Sequence, residues 1–161
     1  MAQRILEVPK VKQKPNHCGP ACLSMLLAFI GIDRSQEDIV DAMGLDPLEV
    51  SKEGVHDDDL TYAAEILGLK GDIYYNLSLR DIQNFIDNGL PFIAPCRSDR
   101  WGGHYFVIKG YETNPAERVF VNDPADLRRR KFPYRAFSKN WDWNKNTGII
   151  ITPKRKRLPR L

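Results

Sequence analysis

Residues 16–31 read NHCGPACLSMLLAFIG, and the fold turns on how this stretch divides. Ala21, Cys22, Met25, Leu26, Phe29 and Ile30 fall at i, i+1, i+4, i+5, i+8 and i+9, which lines one face of an α-helix. Gly31 ends the pattern. Pro20 sits in the first turn, where a backbone N–H has no intrahelical acceptor and its loss costs nothing. Cys18 therefore stands at the helix N-terminus, and Gly19 gives the turn room. A helix N-terminus carries about half a positive charge and presents free N–H groups. A thiol attacks as its thiolate, and such a position favours that form. The other two cysteines read as buried and inert: Cys22 lies on the apolar face, and Cys96 closes the apolar run from Pro91.

Upstream of the helix, the residues up to Pro15 form an extended lead-in with prolines at 9 and 15. Downstream, Ser35 with Asp38 opens a second helix that Gly44 closes. Asp57, Asp58 and Asp59 precede Leu60, Ala63, Ala64 and Leu67, a third helix ending at Gly68. Lys70–Tyr75 reads as a strand. Ser78 and Asp81 start a fourth helix with Leu79, Ile82, Phe85 and Ile86 on one face and Gly89 at its end. The second half changes character. Pro91–Cys96, His104–Tyr111, Arg118–Asn122 and Thr147–Thr152 read as strands divided by Gly, Pro and Asn. Helices first and antiparallel strands after mean an α+β fold. The expected architecture is an N-terminal helical half packed against a C-terminal antiparallel sheet, with the site in the cleft between them.

A cysteine nucleophile needs a base and a group that orients the base. His104 follows Trp101-Gly102-Gly103 and opens the β-rich run Tyr105–Ile108. From a strand mouth it can face a helix N-terminus across a cleft. Asp123 ends the strand Arg118–Asn122 and precedes Pro124. If His104–Tyr111 and Arg118–Asn122 pair as a hairpin, His104 and Asp123 become neighbours. Taken alone, Asp123 reads equally well as the start of an Asp-Pro turn. Gln13, five residues before Cys18, is a candidate oxyanion donor beside the Cys18 N–H. His17 is too close in sequence to Cys18 for in-line proton transfer and is placed at the cleft wall. Trp101 and Gly103 join it as substrate-binding candidates, and Trp141 and Trp143 are left as core or rim. His56 is expected on the surface.

The composition narrows the class. With 161 residues, 42% hydrophobic and 28% charged, the chain suits one soluble domain. We expect a single domain over 1–153 and a disordered basic tail over 154–161. The net charge is +3, but the last eight residues hold five of the 24 cations, so the body carries 19 against 21 acidic residues. A nucleic-acid-binding domain carries its basic patch on the fold itself, so no nucleic-acid partner is expected. Three cysteines without framework spacing point to a reducing compartment. No secretory signal or membrane-length apolar run is visible, so a cytoplasmic location is expected. No cofactor or metal is expected. Asp57–Asp59 are favourable at a helix start without a cation, and Gly102-Gly103 is not a phosphate-binding motif.

Gln13 with HCGPAC (17–22), GGHYFVIKGY (102–111) and VFVNDP (119–124) resembles the bacteriocin-processing, double-glycine leader cysteine peptidase family, closest to its stand-alone, papain-like relatives. The resemblance runs from about residue 8 to 153 and takes in Phe137–Trp141 followed by Thr147-Gly148-Ile149. It implies a papain-like fold with Cys18 as nucleophile, His104 as base, Asp123 as third member and Gln13 as oxyanion donor. The expected function is peptide-bond hydrolysis through an acyl-enzyme, with a peptide or protein as substrate. An acyltransferase or amidase could use the same triad, and a catalytically silent peptide-binding module is a third reading.

Overall fold

The computed structural model of the protein describes residues 2–98 and 102–161. After strand β1 (Gln3–Ile5) come four helices: α1 (Cys18–Phe29), α2 (Gln36–Met43), α3 (Pro47–Glu53) and α4 (Asp57–Ile66). Then follow β2 (Leu69–Tyr74), α5 (Leu79–Asp87), β3 (Phe92–Ser98), β4 (Gly102–Glu112), β5 (Arg118–Asn122), β6 (Lys131–Pro133), α6 (Tyr134–Asp142) and β7 (Gly148–Pro153). The expected capping is present. The Ser35 hydroxyl accepts from Asp38 N at 3.1 Å while Asp38 Oδ2 accepts from Ser35 N at 3.1 Å, and Ser78 and Asp81 repeat the arrangement at α5. Each pair supplies acceptors for otherwise orphaned N–H groups.

All strands pair antiparallel in one sheet, in the order β2-β7-β3-β4-β5-β6. β1 pairs with β4 on the edge opposite β5. The α+β class expected from the sequence holds, with one difference in layout: β1 and β2, from the helical half, also join the sheet. Helix α1 is buried on nearly every side from Gly19 to Leu27, where one apolar face was expected. It lies between β4 and the helices α2 and α4, so Leu23 and Leu27 are as fully buried as Cys22 and Met25. Tyr111 Oη donates to Asp87 Oδ1 at 2.7 Å and ties β4 to the end of α5. Residues 154–161, expected to be disordered, lie along α5: Asn84 Nδ2 donates to Arg160 O at 3.0 Å, and Leu158 packs against the core.

The β4–β5 pair contains a register shift. Glu112, Tyr111 and Gly110 oppose Arg118, Val119 and Phe120, whereas Ile108 and Val107 oppose Val121 and Asn122. Lys109 is the extra residue of a bulge. Its carbonyl is not wasted, since Leu6 N donates to it at 2.7 Å. The chain before α1 lies against this irregularity. A Cβ at Gly110 would stand 2.6 Å from the Arg4 carbonyl oxygen, so only glycine lets β1 approach here. We therefore expect Gly110→Ala to lower stability by about 1–3 kcal/mol, seen as a lower urea midpoint with an unchanged slope. An unchanged midpoint would show that this approach does not constrain the fold.

Candidate active site

The hairpin expected from the sequence brings its two strand ends together. Val107 opposes Asn122, so Asp123, one residue on, leaves the strand opposite Phe106. His104 and Phe106 point to the same face, and their rings meet edge to face at 4.8 Å between centroids. Asp123 thus reaches His104 diagonally, as i, j±2 neighbours do. His104 Nε2 and Asp123 Oδ1 are 2.8 Å apart, both side chains 7% exposed. Asp123 Oδ1 also accepts from Ala125 N at 2.9 Å, and Arg129 Nε lies 3.6 Å from Oδ2. Behind His104, Phe106, Phe132, Phe137 and Trp141 continue the ring contacts from β4 through β6 into α6. Trp141 is fully buried and donates its indole N–H to Thr147 O at 2.8 Å.

Cys18 is the first residue of α1 and is half-buried. His104 lies on the same cleft, near enough for Cys18 to bear on its charge. With Nε2 on Asp123, Nδ1 is the ring nitrogen left for the thiol. Gly19 lets the start of α1 pack closely, because a Cβ there would stand 2.5 Å from Val55 Cγ2 and 3.4 Å from the Tyr105 ring. Burial works against a charged imidazole, but the hydrogen bond to Asp123 and the nearby Cys18 outweigh it and raise the His104 pKa to about 9. Burial likewise pushes the Asp123 carboxyl up, while the His104 hydrogen bond and charge, the Ala125 N–H and Arg129 bring it below its ordinary value. The other two thiols are fully buried, and burial raises both pKa values. Cys22 Sγ donates to Tyr105 O at 3.5 Å.

The remaining sequence candidates are placed as follows. Gln13 N donates to Pro124 O at 3.0 Å, which fastens the lead-in beside Asp123. Its side-chain Nε2 lies 3.4 Å from Lys14 O, and its Oε1 is buried without a hydrogen-bond partner. His17 is the N-cap residue of α1 and is buried, with Nδ1 2.7 Å from Pro15 O. Gly103 lines the cleft beside Cys18. Trp101 lies outside the described residues. His56 is exposed at the start of α4, on the same cleft.

Sequence reasoning missed the residues that hold the lead-in. Asn122 is buried and donates through Nδ2 to Val8 O at 3.0 Å. Gln36 on α2 accepts from Lys14 N and donates to Lys12 O, both at 2.9 Å. These two amides fix the backbone that delivers Cys18. Tyr105 was also missed: its hydroxyl donates to Asp57 Oδ1 at 2.5 Å. Asn122 adjoins Asp123 in the quoted motif and is the only one of the three with a nearby sequence signal.

Two open clefts meet at His104 and Cys96. One, of about 600 Å³, contains Cys18, Gly103, Tyr105 and Trp143 and carries Glu53, Asp57 and Asp58 on its wall. Trp143 is 56% exposed at its rim. The other, of about 690 Å³, contains Asp123 and Phe106 and carries Lys12, Arg97, Arg128 and Arg129. Among the described residues, no group of three His, Cys, Asp or Glu side chains is placed to hold a metal ion. No helix among them is long and apolar enough to cross a membrane.

Solved structures share this fold. The peptidase domain of Streptococcus ComA, a bifunctional ABC transporter of a quorum-sensing pathway, is 21% identical with a TM-score of 0.73, covering 92% of this chain and 100% of that one. A C39-like peptidase from Bacillus anthracis is 18% identical with a TM-score of 0.75, covering 98% and 99%. A double-glycine motif protease from an AMS/PCAT transporter, solved with its leader peptide, is 23% identical with a TM-score of 0.70, covering 93% and 94%. A search of the curated proteins finds no match for this chain. The profile of the Peptidase_C39-like family matches residues 5–149, and the chain belongs to that family of cysteine peptidases with a papain-like fold.

Proposed function

We propose that the protein hydrolyses a peptide bond with Cys18 as nucleophile, His104 as acid and base, and Asp123 as the group that orients His104. The observation that supports this most directly is the 2.8 Å contact between His104 Nε2 and Asp123 Oδ1 at the cleft that Cys18 lines. The raised pKa keeps His104 as the imidazolium at neutral pH, and its charge beside Sγ favours the attacking thiolate. Cys18 Sγ adds to the scissile carbonyl. The Cys18 N–H, one of the first N–H groups of α1, faces the developing oxyanion. The Gln13 amide is the second donor. Its present contact at 3.4 Å exceeds a normal hydrogen bond, so it is easily given up. His104 protonates the leaving amine, and a thioester remains on Cys18. His104 then takes a proton from water, which attacks the thioester and frees the acid and the thiol. The open clefts on both sides of His104 leave room for an extended peptide chain.

Cys18→Ala should fold as the parent does and show no turnover, because Cys18 lines a cleft rather than filling the core. Retained hydrolysis would remove Cys18 from the mechanism. Asp123→Asn keeps the turn but loses the charge, and kcat/KM should fall by more than about tenfold. His104→Ala should be the more severe of the two. An Asp123→Asn protein with parental rates would mean that the carboxylate only starts a turn.

The two steps separate in their pH dependence. Hydrolysis needs the imidazolium and should decline as pH rises through about 9, while alkylation of Cys18 by iodoacetamide should not decline there. The same proton stabilises the fold: this contribution is full below the ordinary histidine value of 6.5 and is lost as pH rises through about 9. Parallel rate profiles for hydrolysis and alkylation would contradict the assignment of His104.

A further inference from the structure

We propose that the cleft on the Asp123 side of His104 receives the leaving segment of the substrate, and that it selects a segment carrying carboxylates. The inference rests on the hydrolase reading above and adds a substrate class to it. Direction comes from the proton. His104 must hand it to the leaving amine, so that part of the peptide departs past His104, while the acyl part stays on Cys18. Of the two clefts that meet at His104, the one with Cys18 therefore holds the acyl side. The other is the leaving-group side.

The charges on the two walls are opposite. Lys12, Arg97, Arg128 and Arg129 line the leaving-group cleft, against Asp126 and the already engaged Asp123. Arg97 is exposed near the end of β3, and its side chain has no hydrogen bond or ion pair among the described residues. Arg128 is 94% exposed and touches only Asp126, at 3.4 Å. Arg129 is held in place by Phe132, 5.2 Å from its ring centroid, and by Asp123. Phe106, Phe132 and Phe137 give the same cleft an apolar floor. Among the described residues, the acyl wall carries Glu53, Asp57 and Asp58 and no lysine or arginine. An acidic segment is therefore attracted to one side of the scissile bond and repelled from the other, which also fixes the direction in which a peptide lies. Arginine forks bind carboxylates in two-point geometry, and they fit the side chains of Asp and Glu or a terminal carboxylate.

The test uses quenched-fluorescent peptides with one common acyl side. The residues after the scissile bond are Asp or Glu, their amides Asn or Gln, or Lys, each with a free or an amidated C-terminus. The acidic peptides should be cleaved with a kcat/KM about tenfold above the amides, and 0.5 M NaCl should flatten the difference. In the double variant Arg97→Ala, Arg128→Ala the ratio of acidic to amide peptides should drop to within about twofold. If the preference follows the free C-terminus instead of the side chains, the cleft holds and its ligand is the terminal carboxylate. Equal kcat/KM across the charge series, with hydrolysis intact, overturns the proposal and leaves the hydrolase reading standing. A second measurement separates the converse case. Labelled peptides are titrated into Cys18→Ala by fluorescence anisotropy. If nothing is hydrolysed by the parent protein yet acidic peptides bind more tightly than amides, the hydrolase reading fails and the anionic subsite stands. Equal binding there overturns the subsite independently of turnover.

Discussion

One extra residue in β4 governs the site. Counted back from the β4–β5 turn without the shift at Lys109, Asp123 would oppose Val107 and point to the face away from His104. With the shift it opposes Phe106 and shares the face of His104. Because side chains alternate strictly along a strand, a single-residue change of register is an all-or-nothing change of face. The bulge is in turn stabilised by what covers it. Leu6 N satisfies the Lys109 carbonyl, and β1 packs over Gly110 at a distance no side chain permits. The chain that covers the bulge is also the chain that leads to Cys18. One irregularity thus positions the His104–Asp123 pair and anchors the segment that leads to Cys18.

The lead-in from residue 6 to 15 has little regular structure, and its polar backbone runs over the end of the sheet. Its groups are paired one by one: Val8 O with Asn122, Lys12 O and Lys14 N with Gln36, Gln13 N with Pro124 O. An irregular segment becomes rigid when its backbone donors and acceptors are satisfied in this way. Asn122 matters doubly, as it also fixes the residue next to Asp123. The three thiols complete the picture. The half-buried Cys18 faces His104, while Cys22 and Cys96 are sealed in the core, where burial keeps them protonated.

Much of this was legible in the sequence, for identifiable reasons. Helices α2, α4 and α5 announce themselves through caps, glycine stops and apolar spacing, all of which are local. The pairing of His104 with Asp123 followed from two strands and a short connection. What was hidden depends on distant partners. The three-residue strands β1 and β6 exist only through their neighbours β4 and β5. Helix α6 mixes aromatic and charged residues in YRAFSKNWD and is fixed by the burial of Phe137 and Trp141. Helix α3, seven residues long, is too short for periodicity to register. The roles of Asn122, Gln36 and Tyr105 are tertiary hydrogen bonds that no spacing encodes, and the separation of Trp141 as core from Trp143 as rim has the same origin.

The strand order has a consequence for how the protein is made. β7, the last strand along the chain, sits between β2 and β3 rather than at an edge, and it fills the seam with Ile149, Ile150 and Ile151. During synthesis Cys18 emerges early, and His104 and Asp123 follow, yet the sheet stays split until residues 148–153 are released. Such long-range closure is slow compared with helix formation. A chain assembled in this order carries Cys18, His104 and Asp123 through translation on an unfinished scaffold. Joining the two halves of the sheet is then the step that turns the nascent chain into a rigid fold.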